Sequence, residues 1–300
     1  MNKIKNKIHN LFYPIQGEIC CLHRVLPQRS IFSENRELEI TPDYLETLIL
    51  NYEDLGFKFF SIDGIYKNKL PFFRLFYQQK FVNVSFDDGF EDVYTYAYPI
   101  LKKYKIPFTL YLTTDFPDKR TLIWWILMEN IILENDQIEL SSGKQYPCIS
   151  LLEKKELYTQ ILKMIFESKT NSLDTFNTLF SNYLDTYLNL NNSLSLSWEQ
   201  IKEMVDSGFC TVGSHSVTHS NLLKISNDEL SQELNESIKI IENKIQQEVF
   251  HFSYPHSFWN IQIEEEIRKT KYKTASLGYG GSIRWFDNRF KLPRNYIVQP

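Results

Sequence analysis

The stretch FVNVSFDDGF, residues 81–90, places two adjacent carboxylates, Asp87 and Asp88, between an apolar strand-like run and a glycine. In a regular strand neighbouring side chains point to opposite faces, so both aspartates can serve one site only if the chain leaves the strand there. Gly89 permits that bend, because it carries no Cβ. A metal ligand and a base could then sit side by side at the C-terminal end of a strand, where β/α enzymes keep their chemistry. The competing reading is a solvated Asp-Asp-Gly turn.

Outward from this point the pattern alternates. Residues 18–23 read as a short strand, and Thr41-Pro42 opens a helix with apolar positions Leu45, Leu48, Ile49, Tyr52 and Leu55 before Gly56 ends it. Residues 57–62, 81–86 and 107–113 read as strands, with a helix over 91–104. From about 116 to 196 the strand signal disappears and a helical pattern with Asn- and Ser-rich joints takes over, which predicts a helical insertion. Capping-box patterns at Ser197–Gln200 and Ser226–Glu229 then open two helices. Strands are expected at 209–213, 249–253, 272–277 and 291–298, with a helix at 260–269. The order predicts an α/β chain, one domain over 1–300 built as a parallel β/α sheet or barrel.

Composition narrows the function. With 43% hydrophobic and 15% aromatic residues in 300, the chain can bury a sizeable core. A net charge of −4 leaves no basic surplus, so nucleic acid is excluded as the expected partner. The first residues hold no apolar run of signal-peptide length and no small-residue cleavage site, so a cytoplasmic chain is expected. The most apolar run, 122–133, is too short to span a bilayer, so no transmembrane helix is predicted. Four cysteines, Cys20, Cys21, Cys148 and Cys210, match neither a disulfide framework nor a zinc knuckle and read as reduced and mostly buried.

Two further motifs follow predicted strands. His215-Ser-Val-Thr-His219 sets two imidazoles four apart; on a helical turn they would face the same way and hold one divalent ion, most naturally zinc. Two surface histidines are the plain alternative. A carboxylate from another strand end would complete a three-ligand site with open positions for water and substrate. The third motif is Phe252-Ser-Tyr-Pro-His256.

In combination and in this order, FDDGF, HSVTH and FSYPH resemble the motifs of the polysaccharide deacetylases, the NodB-type carbohydrate esterases. The resemblance covers roughly residues 17–115 and 197–298. Cys21-Leu-His-Arg-Val25 is similar to the Tyr-His-Arg-Val first strand of one branch of that family, and Trp124-Trp125 looks like that branch too. The resemblance implies a distorted (β/α) barrel of about seven strands with the site at their C-terminal ends. It implies Asp87 as general base, Asp88, His215 and His219 as ligands of a divalent metal (zinc, with cobalt or nickel as alternatives), and the His256 backbone N–H as an oxyanion donor.

The chain departs from the pattern in two places. Many members carry Arg-x-Pro-Tyr as the third motif, its arginine oriented on the base; here Ser253 and His256 stand at those positions, and Arg294 is the candidate replacement, against an ordinary ion pair. Many members also have a late Leu-x-His that protonates the departing amine, yet no histidine follows His256. His23 is the first candidate for the acid and His256 the second, with a satisfied core histidine as the plain reading of His23. Pro255 and Trp285 are candidate substrate-binding residues, core packing being the alternative for Trp285. Trp124-Trp125 suits packing of the insertion against the barrel, or else a lid or lipid contact. His9 and His251 read as structural.

The expected activity is metal-dependent removal of an N-acetyl group from an amino sugar in a glycan or glycan precursor. A lipid- or nucleotide-linked sugar is the expected partner, with peripheral membrane contact allowed. The alternatives are a carbohydrate-binding protein on a lapsed deacetylase fold and a metal-dependent hydrolase of a small non-sugar amide.

Overall fold

The computed structural model describes residues 15–68, 80–284 and 286–300; His9 and Trp285 lie outside them. Seven parallel strands close a barrel: β1 (Ile15–Leu22), β2 (Phe81–Phe86), β3 (Phe108–Leu112), β4 (Cys210–Ser214), β5 (His251–Ser253), β6 (Thr274–Gly280) and β7 (Leu292–Tyr296). β1 pairs with β2 over Gly17↔Phe81 to Leu22↔Phe86 and closes the ring on its other side against β7. The intervening pairs follow chain order.

Alternation within the strands explains both faces. Val84, Phe86, Phe108, Leu110, Leu112, Val212 and Phe252 belong to the apolar core under the helices. Their neighbours Ser85, Tyr111, Ser253, Ser276 and Arg294 are equally buried yet polar, and hydrogen bonds join them across the barrel interior. A buried polar group costs free energy unless it is paired, so this interior commits the strands to one register.

Helices begin where the sequence supplies caps. α1 (Pro42–Asp54) starts at Thr41, whose Oγ1 accepts the Tyr44 N–H. The helix expected over 91–104 divides into a π-helical turn at Val93–Ala97 and α2 (Tyr98–Tyr104). Pro99, lacking an N–H, cannot continue the regular ladder there. The expected strand at 57–62 shrinks to Lys58–Phe59 beside β2, outside the ring, because Ser61 Oγ accepts the Gly64 N–H and starts the helix Ile62–Asn68 instead.

Between β3 and β4 lie α3 (Trp124–Glu134), α4 (Leu151–Glu167), α5 (Ser172–Leu179) and α6 (Leu184–Leu194), followed by α7 (Trp198–Asp206). A two-stranded antiparallel hairpin, Gln137–Glu139 with Gln145–Pro147, interrupts the first four. Its strands are short and polar, so no period-2 apolar signal marked them. The two ends of this segment are fastened together: Ser195 Oγ donates to Phe116 O, Lys119 Nζ donates to Ser195 O, and Leu196 N donates to Gly89 O. α8 (Asn227–Ile245) and α9 (Ile261–Lys269) complete the helical layer. α7 and α8 both carry full capping boxes. All four cysteines are unpaired and buried. Among the described residues no helix is long and apolar enough to cross a membrane.

The bend after β2 uses two left-handed residues in succession, Asp88 (φ 73°) and Gly89 (φ 101°). A Cβ on Gly89 would lie 2.5 Å from Leu112 Cδ1, so that buried side chain would have to shift in addition to the strain of the left-handed φ. Gly89→Ala is expected to destabilise the fold by about 1–3 kcal/mol in chemical denaturation; an unchanged midpoint would refute this account of the turn.

Candidate active site

Asp87 still belongs to the ladder, its N–H donating to Leu22 O, whereas Asp88 already lies in the turn, its carbonyl accepting the Thr113 N–H beyond β3. The register of three strands therefore fixes both carboxylates at the C-terminal mouth of the barrel. Asp87 meets the Arg294 guanidinium end-on: Nη1 donates to Oδ1 at 2.7 Å and Nη2 to Oδ2 at 2.6 Å. The other three N–H groups of Arg294 go to Leu277 O, Ser85 Oγ and Ser253 Oγ, so all five donors are used and the side chain is wholly buried. Ser253 Oγ also donates to Asp87 Oδ2 at 3.1 Å. Burial would raise the Asp87 carboxyl, but Arg294, then His215, hold it below the usual carboxylate range.

Asp88 faces the two histidines. Its Oδ1 lies 3.4 Å from His215 Nε2 and 3.2 Å from His219 Nε2, and it is a buried acceptor with no hydrogen-bond partner. His215 Nδ1 is 2.8 Å from Ser253 O, which can only accept, so the ring proton sits on Nδ1 and the Nε2 lone pair turns toward Asp88. Burial pushes His215 down to about 4, only partly opposed by Asp87. Against the upward pull of burial, His219 leads in drawing Asp88 well below the usual range. The carboxylate oxygen and two ring nitrogens lie within 4.8 Å of one another. The lone pair of His215 Nε2, the Nε2 of His219 and an anionic oxygen converge on one point, a donor set that fits a divalent cation.

The histidines are not placed by a helix. Ser216 (φ 68°) and His219 (φ 61°) are left-handed, so the segment is a compact loop, and the helical-turn expectation for HSVTH is corrected. Ser214 Oγ accepts the Ser216 N–H, and Ser216 Oγ accepts the His219 N–H. Glu233 of α8 accepts from Val217 N, Thr218 N and Thr218 Oγ1, fixing the loop from outside. Nothing in the sequence singled out Glu233, one acid among several on an amphipathic helix.

The remaining candidates surround this centre. His23 is half-buried, its ring edge-on to Tyr296 at 5.7 Å, and burial lowers it, opposed by Asp88 and Asp87. Cys21, His23 and Asp87 also form a close group. It is the weaker cation site, because both Asp87 oxygens already serve Arg294 and burial pushes the Cys21 thiol far up. His256, at φ 55° in the turn Pro255–Ser257, packs its ring 4.4 Å from that of His219, and burial lowers it strongly. Pro255 is buried and takes no part in the cavity wall; its fixed φ begins the turn that presents His256.

A cavity of about 680 Å³ opens over these groups. Its wall takes in the ends of β1, β2, β6 and β7, the short helix Ser33–Arg36, the start of α3, and Tyr158, Leu162 and Phe166 of α4. Trp124 and Trp125 are buried by packing and also face this space. Tyr279 and Tyr296, which also line this cavity, were missed at the sequence level.

The sequence profile of the polysaccharide deacetylases matches residues 77–275. No curated protein matches the chain. Among solved structures, the Streptococcus pyogenes deacetylase PplD in complex with acetate is similar at 18% identity, over 94% of this chain and 92% of that one, with a TM-score of 0.64. IcaB from Ammonifex degensii is 20% identical over 93% and 87% (TM-score 0.58), and the de-N-acetylase from Aggregatibacter actinomycetemcomitans 15% over 94% of each (TM-score 0.58). At these identities the structures attest the barrel, while the profile spans most of the chain and reaches from before Asp87 to beyond His256. The chain belongs to the polysaccharide deacetylase family.

Proposed function

We propose that this protein is a metal-dependent hydrolase that removes the N-acetyl group from an amino sugar in a glycan or glycan precursor. The observation that carries this reading is the buried, partnerless Asp88 Oδ1 facing the Nε2 atoms of His215 and His219. Asp88, His215 and His219 would hold the ion, with zinc the natural choice for two imidazoles and a carboxylate. When bound, it would supply Lewis acidity, polarising an amide carbonyl and acidifying water.

The chain's own residues divide the proton chemistry. Arg294 keeps Asp87 ionised, so at neutral pH its carboxylate is free to accept the proton that the attacking water gives up. Oδ2 accepts from both Arg294 and Ser253, whereas Oδ1 accepts one N–H and keeps a lone pair for that transfer. We take His23, which stands in the cavity wall with no side-chain hydrogen bond of its own among the described residues, as the first candidate to protonate the departing nitrogen; burial holds its ring toward the neutral form, so it would have to take up a proton first. His256 is the second candidate, less suited because its ring is wedged between His219 and Phe258. α3 and α4 contribute Trp124, Trp125, Tyr158, Leu162 and Phe166 to the cavity wall beside this centre.

Purified protein supplied with zinc should retain about one divalent ion per chain by elemental analysis, and His215→Ala and His219→Ala should each lose it; retention in both would overturn the ligand set. Asp87→Asn should keep the ion and lose about 10²–10⁴-fold in acetate release from N-acetylhexosamine glycans, lipid-linked sugars or nucleotide sugars. Metal bound with no release from any of these would favour a binding protein on this fold. Comparing His23→Ala with His256→Ala assigns the acid, an undiminished rate in the first removing His23 from the role. Arg294→Met leaves Asp87 buried and unpaired, so a loss of about 3–5 kcal/mol is expected in chemical denaturation; Arg294→Met with Asp87→Leu should recover most of it, and failure to do so would show that Arg294 stabilises through other contacts.

A further inference from the structure

The Asp87 carboxylate has a second set of neighbours. Its Oδ2 lies 3.9 Å from His215 Nε2 and also 3.9 Å from Cys21 Sγ, near the end of β1. One donor atom each from Cys21, His23 and Asp87 fall within 4.8 Å of one another, and none of these residues belongs to the Asp88, His215 and His219 group. Cys20, the preceding residue on the strand, points to the other face, where its Sγ meets Tyr52 Oη at 3.5 Å. Among the described residues no other cysteine joins such a group.

The pair is open to a ligand. Cys21, His23 and Gly278 of β6 all line the cavity. A Cβ at Gly278 would come within 3.7 Å of Cys21 Sγ, so the glycine leaves the sulfur uncovered on that side. The His23 ring makes no side-chain hydrogen bond among the described residues, and burial holds it toward the neutral form, which keeps a lone pair for coordination. Burial pushes the Cys21 thiol far up, opposed by Arg294 and reinforced by Asp87, so at neutral pH the sulfur keeps its proton. A metal cation that replaces this proton supplies the charge a buried thiolate lacks. Thiolate and imidazole favour soft ions. Asp87, with both oxygens already on Arg294, adds only a weaker third donor.

We propose that Cys21 and His23, with Asp87 as the third donor, form a second cation site that takes soft divalent ions and blocks turnover when filled. As the ion binds, the S–H bond breaks, a sulfur–metal bond forms and the proton passes to solvent, with no change of oxidation state. The binding stands apart from the hydrolase reading. The block rests on it, because the ion would engage both Asp87 and the first candidate for the acid, His23.

Cadmium is the probe, added to protein that already holds zinc. Elemental analysis should find the zinc retained and about one cadmium per chain beside it, with a thiolate-to-cadmium charge-transfer band in the ultraviolet and about one proton released per ion. Acetate release should fall by about 10²-fold or more, the contribution of a positioned base. Cys21→Ser should abolish the band and the proton, and cadmium should no longer change its rate, whatever that rate is. His23→Asn, followed by the same band, should bind cadmium more weakly, a test independent of how Cys21→Ser folds; unchanged affinity there overturns the site. Zinc lost as cadmium enters, with no band, overturns it too, since cadmium has then taken the first centre. A band that persists in Cys21→Ser does the same. Cadmium bound through Cys21 with undiminished acetate release overturns the block and spares the hydrolase; a Cys21-dependent band in protein that releases no acetate from any substrate supports the site and overturns the hydrolase.

Discussion

The bidentate pair between Arg294 and Asp87 is the constraint on which the rest of the site depends. Two unit charges wholly withdrawn from water are tolerable only when each is opposed and every donor is used. Arg294 meets that condition by drawing on β2, β5 and β6 while itself standing on β7. Four of the seven strands are thereby held in register at their C-terminal ends. Ser253 has a further part, because its hydroxyl links arginine to aspartate while its carbonyl sets the proton on His215. One residue on one short strand thus connects the charge on Asp87 to the orientation of a histidine facing Asp88.

Around this rigid interior the functional side chains are carried on backbone that avoids regular structure. Asp88, Ser216, His219 and His256 all take left-handed φ without being glycine, each at a cost of roughly 1–3 kcal/mol. The cost is met by hydrogen bonds from outside the turns, such as Thr113 N to Asp88 O and the Glu233 clamp on residues 217 and 218. Regular strands supply direction and depth, and the strained turns aim carboxylate and imidazoles at one point.

Much of this was legible in the sequence because it rests on local rules. Apolar runs of strand length, three capping patterns and two motifs following predicted strands placed Asp87, Asp88, His215 and His219 at one end of the barrel. Arg294 was legible only as a substitute for an arginine expected elsewhere. What escaped reading has a common cause: it depends on conformations or partners with no local signature. Left-handed serines and histidines look like any others, so HSVTH read as a helical turn. Glu233 acts across the gap between a helix and a loop, and the hairpin at residues 137–147 is too short and polar to show a period. Phe166 and Leu162, four apart on α4, read as ordinary helix packing, since a cavity wall and a core face share one pattern.

The fastening at the base of the segment between β3 and β4 separates two problems in one chain. Because Ser195 is bound to Phe116 and Lys119, and Leu196 to Gly89, the chain leaves and rejoins the barrel at a single closed point beside the Asp87–Gly89 turn. The loop-closure entropy of everything between is settled there and grows only slowly with length. The helices of this segment that line the cavity are held in addition by their contacts with Glu34, Asn35 and His219. The closed base thus separates the length of this segment from the geometry of the turn beside it, so the carboxylates keep their positions whatever the chain between 116 and 195 must span.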